Sequence, residues 1–475
     1  MHRRDFLRRA VLGTGAALAA SQALPDAWAH ADEPGLADAW WNRGDFAPVA
    51  IERTETRLEV TGELPRHLNG LYVRNGTNAH RGTESPHWFI GDGMVHGVRL
   101  EDGAARWYRN RFIQTKALTR DISLTSSGGP PRLDDGYANV SVFGHAGKIL
   151  ASGEVGLPWE LSPEDLSTVG VYDFGGRLRT SMTAHPKIDP ATRELHFFGY
   201  WFTPPYLTYH VADPQGALVS SQPVDIPGST MIHDFAITDR DVVFWDLPVV
   251  FDLDRLDTGI PFSWDASHGA RIGVMPLGGP ATEIRWVDTD PCYVFHGVNA
   301  YRDGNAVVVD VCRHDRMFDP GVTDSGSLTL RRWRIGTGGA SLHFSEDVVR
   351  DHDAGELPTR DPRRVGRPHR YGYLLQSHRR GDGLVFGGVA KQDFRTGTRQ
   401  VWDSGPRRHG GEFLFVPDGE AEDDGILISY VHDDHRDAAD LVVLDARDVA
   451  AGPIATVHLP VRVPYGFHAA WVPTV

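Results

Sequence analysis

Cysteine is nearly missing from this chain: 2 residues in 475 build neither a disulfide framework nor a cysteine-rich metal site. Cys292 and Cys312 could pair, but both read as small buried hydrophobes. Basic blocks are absent after the N-terminal segment, and the formal charge of -15 disfavours nucleic acid, whose phosphates ask for clustered Lys and Arg. That acidity suits the solvated surface of a soluble protein. Long helical periodicity is absent beyond the N-terminus. No repeat of fixed period emerges either, so an array of the WD40 type is unsupported. The apolar run Ala10 to Ala20 is far short of the roughly 20 residues that a spanning helix needs.

That run follows Arg3-Arg4-Asp5-Phe6-Leu7-Arg8-Arg9 and precedes the small-residue site Ala27-Trp28-Ala29. A twin arginine in this setting reads as a Tat-type export signal, removed on maturation. Residues 1–29 are therefore expected to be the signal and 30–475 the mature domain, placed in the bacterial periplasm or outside. Tat-type export carries folded proteins, which suits one loaded with its metal in the cytoplasm.

Turn residues are abundant, with 52 Gly and 31 Pro beside 41% apolar and 10% aromatic residues. The mix predicts many short strands joined by turns. Length alone would suggest about three domains of about 150 residues, but all-β units often run longer as one. Strand-like runs include Thr56–Val60, Leu71–Gly76 with its turn dipeptide, Glu194–Tyr200, Asp241–Trp245, Ala306–Asp310, Leu328–Trp333, Gly425–Tyr430 and Leu441–Asp445. Asp92-Gly93, Asp102-Gly103, Asp303-Gly304 and Asp382-Gly383 read as turns of hairpins stacked into blades. Thr115 to Gly136 and Leu253 to Pro276 read as long loops or caps, the kind that form lids and mouths.

Among 23 histidines, four stand out. His185, His233, His296 and His468 each border an apolar segment and each has a turn residue nearby: Pro186, Asp234, Gly297 and Gly466. They are too far apart in sequence for a local metal loop. Ligands so distant converge if separate blades of a closed radial sheet aim them at one axis. Zinc, copper and iron all accept imidazole, though catalytic zinc usually keeps three protein ligands and a water. Iron(II) with four histidines in an octahedral sphere would leave two positions open, unlike the common two-histidine, one-carboxylate set. Ligating imidazoles need acceptors for their outer N–H groups. Glu154, Glu356 and Glu412 stand among apolar residues, where an unpaired carboxylate is costly.

Several longer segments carry a resemblance. They are Gly70–Asn78, Trp88–Gly97, Thr183–Lys187, Pro204–Tyr209, Gly269–Pro276 and Arg370–Tyr373. Together they resemble the carotenoid cleavage oxygenases, a family that includes apocarotenoid and lignostilbene-type dioxygenases. The resemblance implies a seven-bladed β-propeller capped by a dome of loops and short helices over an axial non-haem Fe(2+). It implies His185, His233, His296 and His468 as the ligands. Glu154, Glu356 and Glu412 would hold the second, third and fourth of these, with none on the first. The implied reaction splits a C=C bond of a small apolar conjugated substrate with O2 into two carbonyl products.

The lignostilbene-type branch tends to carry a Lys just before the first outer Glu, where this chain has Gly153; an apocarotenoid or carotenoid is accordingly favoured over a stilbene such as resveratrol. Phe295, beside His296, is a candidate tunnel wall. A peripheral membrane contact near Phe262 and Trp264 would suit an apolar substrate. The expected state is a monomer. Two rivals remain: a non-catalytic periplasmic propeller that binds a ligand, and an isomerase or hydrolase on the same scaffold.

Overall fold

The computed structural model describes residues 39–474 apart from 80–83, 121–131, 253, 256–259, 320–326 and 381–382. The expected signal segment lies outside the described residues, as do part of the Thr115–Gly136 loop and Asp382 of the Asp382-Gly383 turn. Strands dominate. They form seven antiparallel sheets of four or more strands and one two-stranded hairpin. Each larger sheet is a blade of a propeller, and the blades follow one another along the chain.

The inner strand of the second blade is Ser141–His145 and that of the third Lys187–Ile188. Ala236–Ile237 and Tyr293–Asp303 begin the fourth and fifth, and Glu356–Thr359 the sixth. In the seventh, Arg408–Gly410 and Leu414–Pro417 both pair with Gly425–Asp433. The inner strands of the fourth, fifth and sixth blades touch in succession, and that of the first touches those of the second and the seventh, so the blades surround one axis. Apolar layers between blades supply the cohesion. Trp245 of the fourth blade meets Trp333 of the fifth edge to face at 6.1 Å, both fully buried. Truncating such a residue to Ala costs about 3–5 kcal/mol. Cys292 and Cys312 are buried and unpaired, as expected. No helix among the described residues is long and apolar enough to cross a membrane.

The ring is closed from both ends of the chain. Thr56–Val60, expected as one strand, is split: Thr54–Glu55 pairs with the first blade, while Glu59–Gly62 pairs with Pro453–His458 of the seventh. The last strand, Ala469–Pro473, in turn pairs with Gly70–Asn78 of the first blade. The segment before it is clamped as well. Asn75 N donates to the His468 carbonyl at 3.0 Å and Phe467 N to the Asn75 carbonyl at 2.9 Å.

Three sequence expectations need correction. Asn75-Gly76 is no turn; both residues lie inside Gly70–Asn78, paired with Val95 and Met94. The glycine serves close approach instead, since a Cβ there would meet Gly466 Cα at 2.6 Å. Asp92-Gly93 likewise opens the strand Asp92–Glu101, and a Cβ at Gly93 would meet the Ala138 carbonyl at 2.5 Å. By contrast, Asp102-Gly103 is a hairpin turn, with φ of 51° and 73° that match a type I′ geometry. Leu253 to Pro276 is only in part a loop. Phe262–Trp264 pairs with Val249–Phe251, and Arg271–Pro276 is a full strand of the fourth blade. Its polar start hid it: Arg271 is held by Asp246 at 2.9 Å and lies 4.1 Å over the Trp286 ring.

Gly466 tests this closure. A Cβ there would meet the Asn75 carbonyl oxygen at 2.6 Å, whereas one at Gly228 meets nothing within 4 Å. Gly466→Ala should cost about 1–3 kcal/mol in chemical denaturation, and Gly228→Ala should be close to neutral. Equal midpoints for the two variants would show that the C-terminal contact does not hold the ring.

Candidate metal centre

Each of the four histidines sits at or just before an inner strand. His185 precedes Lys187–Ile188, His233 precedes Ala236–Ile237, and His468 precedes Ala469–Pro473. His296 lies within Tyr293–Asp303, where the ladder with Ala306–His314 shifts register between Val294 and Gly297. Such a bulge frees a side chain from strict alternation and re-aims it. All four rings meet on the axis, each offering a nitrogen within 4.8 Å of the others. Ring centroids stand 4.4 Å apart for His185 and His468 and 5.1 Å for His233 and His296.

Glutamates hold the outer nitrogens of three rings. His233 Nδ1 lies 2.8 Å from Glu154, His296 Nδ1 2.6 Å from Glu356, and His468 Nδ1 3.0 Å from Glu412. An ionised carboxylate only accepts, so each Nδ1 carries the proton and each Nε2 keeps its lone pair for the axis. The three glutamates are themselves fixed. Tyr200 donates to Glu154 at 2.9 Å, Ala469 N donates to Glu412 at 2.7 Å, and Leu357 N donates to Glu356 at 2.5 Å. That last contact takes Leu357 into the left-handed region at φ 45°, a conformation that leucine adopts only where its surroundings impose it.

The inward atoms fit a cation. His296 Nε2 is buried with no hydrogen-bond partner. His185 Nε2 and His233 Nε2 face each other at 2.9 Å, although the Glu154 contact leaves His233 Nε2 a bare acceptor. Four neutral imidazoles around a point with no protein donor are the donor set of a late first-row dication. Burial, and then the neighbouring His468, His233 and His296, hold His185 well below the usual histidine range. Burial likewise outweighs Glu356 in lowering His296. At His233 burial acts in the same sense but the Glu154 contact wins, and the ring is raised. Burial would lift Glu356, yet His296 and His314 hold its carboxyl far below the usual range.

All seven residues expected at the centre are thus brought together, and His185 has no glutamate partner among the described residues. Phe295 also borders it, edge to face with His233 at 5.4 Å and with Tyr293 at 4.8 Å. Sequence reading missed His314 and Tyr200. His314 Nε2 bonds the second oxygen of Glu356 at 3.0 Å. Folding the hairpin about Asp303-Gly304 would have found it, since His314 pairs with Tyr293.

Such a propeller, with four convergent axial imidazoles braced by three carboxylates, defines a class of mononuclear metal centre. The sequence matches the family described as retinal pigment epithelial membrane protein over residues 46–473. A carotenoid cleavage oxygenase of Mycobacterium tuberculosis is 40% identical over 91% of this chain and 97% of its own length. An isoeugenol monooxygenase of Pseudomonas nitroreducens is 31% identical over 90% and 97%. Among solved structures, the lignostilbene dioxygenase of Pseudomonas brassicacearum superposes with a TM-score of 0.83 at 29% identity, covering 92% of this chain and 99% of that one. The chain therefore belongs to the carotenoid oxygenase family.

Replacing His468 with Ala should abolish stoichiometric metal binding. Glu412→Gln should weaken it about 10- to 100-fold, as loss of an outer acceptor typically does. Metal analysis of the purified proteins and competition with a chelator check both. Full retention of metal by the His468 variant would sink the assignment.

Proposed function

We propose that the centre holds Fe(2+) through His185, His233, His296 and His468, and that the enzyme, an O2-using oxidoreductase of this family, splits a C=C bond of an apolar conjugated substrate into two carbonyl products. The observation that carries this is the convergence of four imidazoles, three of them held by glutamates at 2.6 to 3.0 Å. Bound there, iron would activate O2 and leave the substrate to be positioned by the protein.

The chain's own groups do the rest. Glu154, Glu356 and Glu412 keep three rings in one tautomer and one orientation. Phe295 places an aromatic edge beside His233 and is backed by Tyr293, an apolar surface that suits a flat polyene. Phe467 lies 5.1 Å from Trp88 and 5.8 Å from Phe89, adding an aromatic wall next to His468.

An apocarotenoid or carotenoid is the favoured substrate. Where the lignostilbene-type branch tends to carry a lysine, this chain has Gly153, and a Cβ there would already lie 3.2 Å from Ala138 N. A stilbene or phenylpropene remains the second reading, favoured by the names of two of the relatives. Access from a lipid surface fits a ring cluster around the Val249–Phe251 and Phe262–Trp264 hairpin. There Phe202 stacks on Phe251 at 5.2 Å and on Trp201 at 4.1 Å, all partly exposed. Export by the twin-arginine segment, with action outside the cytoplasm as a monomer, completes the reading.

Iron-loaded protein given an apocarotenal, resveratrol and isoeugenol in parallel should yield aldehydes from the apocarotenal fastest, and only with O2. With labelled O2 and rapid trapping of the aldehydes, label in both products marks a dioxygenase and label in one a monooxygenase. Cleavage of none of the three, or turnover without O2, would overturn the reading.

A further inference from the structure

Beyond the four histidines the inner strands enclose a second, small chamber, mostly apolar but with two cationic side chains in its wall. Its walls are the residues that follow the ligands along the inner strands: Lys187 after His185, Ile237 after His233, Gly297 and Asn299 after His296, and Arg360 after Glu356. The chamber's volume is about 10 Å³, enough for roughly one water-sized guest. Two cationic side chains line it, and the carboxylate nearest to them is already engaged. Asp234, 2% exposed, accepts from Lys187 Nζ at 2.6 Å, from Phe235 N at 2.8 Å and from Gly297 N at 3.0 Å.

Arg360 is the anomaly. Its Nε is buried without a hydrogen-bond partner, and no carboxylate among the described residues pairs with its guanidinium. Burial pulls the group down to about 10, opposed by the charges of Asp234 and Asp361. Neither carboxylate satisfies it: Asp361 is turned to Arg363, accepting from its N and its Nε at 2.9 Å. A guanidinium offers five N–H donors in a fixed fork, and a buried one left without an acceptor, as Nε is here, is expensive. Lys187, 12% exposed, spends one of three donors on Asp234. A small chamber lined by a guanidinium with a buried, unmatched Nε–H and by an ammonium with donors to spare, too small for an oxyanion such as phosphate, is built for one compact acceptor with negative charge.

We propose that this axial chamber binds a single small monovalent anion of halide size, held between Arg360 and Lys187. The anion matches the orphaned N–H of the guanidinium and fastens the inner strands of the third and sixth blades to each other. The site is separate from the metal centre and makes no claim on its chemistry.

Crystals of the full chain grown with bromide in place of chloride should show an anomalous peak between Arg360 and Lys187. In solution, raising chloride against gluconate at constant ionic strength should raise the melting temperature of the wild-type protein with the logarithm of chloride, as linkage requires. Arg360→Gln should flatten that dependence while metal content stays stoichiometric. No bromide peak in the wild-type protein overturns the proposal, whether or not the variant folds. A peak with no chloride-dependent shift marks binding at crystal concentration only and overturns it too, as does an equal chloride response in Arg360→Gln.

Discussion

The pairing of Ala469–Pro473 with Gly70–Asn78 is the contact on which the molecule depends. A propeller blade has no intrinsic reason to stop at a given number; the ring exists because the last strand of the chain completes the first blade. Glu59–Gly62 makes the reciprocal crossing into the seventh blade. Two short ladders, formed by residues nearly the whole chain apart, thus hold a circle of otherwise local hairpins. Within that circle the contacts are mostly between neighbours in sequence, as the successive hairpin pairings show. The longest loops that the fold closes meet at this seam, and because closure entropy grows only with the logarithm of length, each costs only about 3 kcal/mol more than a short hairpin.

The seam and the metal centre are one piece of structure. His468 precedes the closing strand, and its brace, Glu412, also accepts from Ala469 N. The carboxylate therefore joins strand and imidazole at a single point. Elsewhere the ligands are aimed by local departures from regular pairing: a bulge at His296, a positive φ next to Glu356, and residues just outside the ladder at His185 and His233. Inner strands converge on the axis by topology, but regular strands would turn alternate side chains away from it. The irregularities supply the final direction, at sites where the surrounding bonds compensate the strain.

Much of this was legible before the structure. The four histidines and three glutamates bordered apolar segments, and both the blade architecture and the braced ligands followed from segments spread across the chain. Glycine misled where it served contact instead of turning: Gly76 and Gly93 read as punctuation because a sequence does not show the backbone opposite them. Arg271–Pro276 was lost to its own charged start, which a buried aspartate makes compatible with a strand. His314 was invisible because its role depends on cross-strand register, and the axial chamber because Lys187 and Arg360 meet only when two blades are brought together. Local pattern reports what a residue is near in sequence. It does not report what closes over it.

A vectorially synthesised chain makes most of its first blade early and leaves it without a partner for one edge, because the strand that completes it follows the other six blades in sequence. His468 arrives with that strand, so the fourth imidazole joins the other three only as the ring closes. Chains truncated before His468 carry an open ring with three of the four histidines. In such chains the edge of Gly70–Asn78 stays unpaired, the kind of template that recruits other strands. Closing the ring, hiding that edge and completing the set of four histidines are a single event in the folding of this polypeptide.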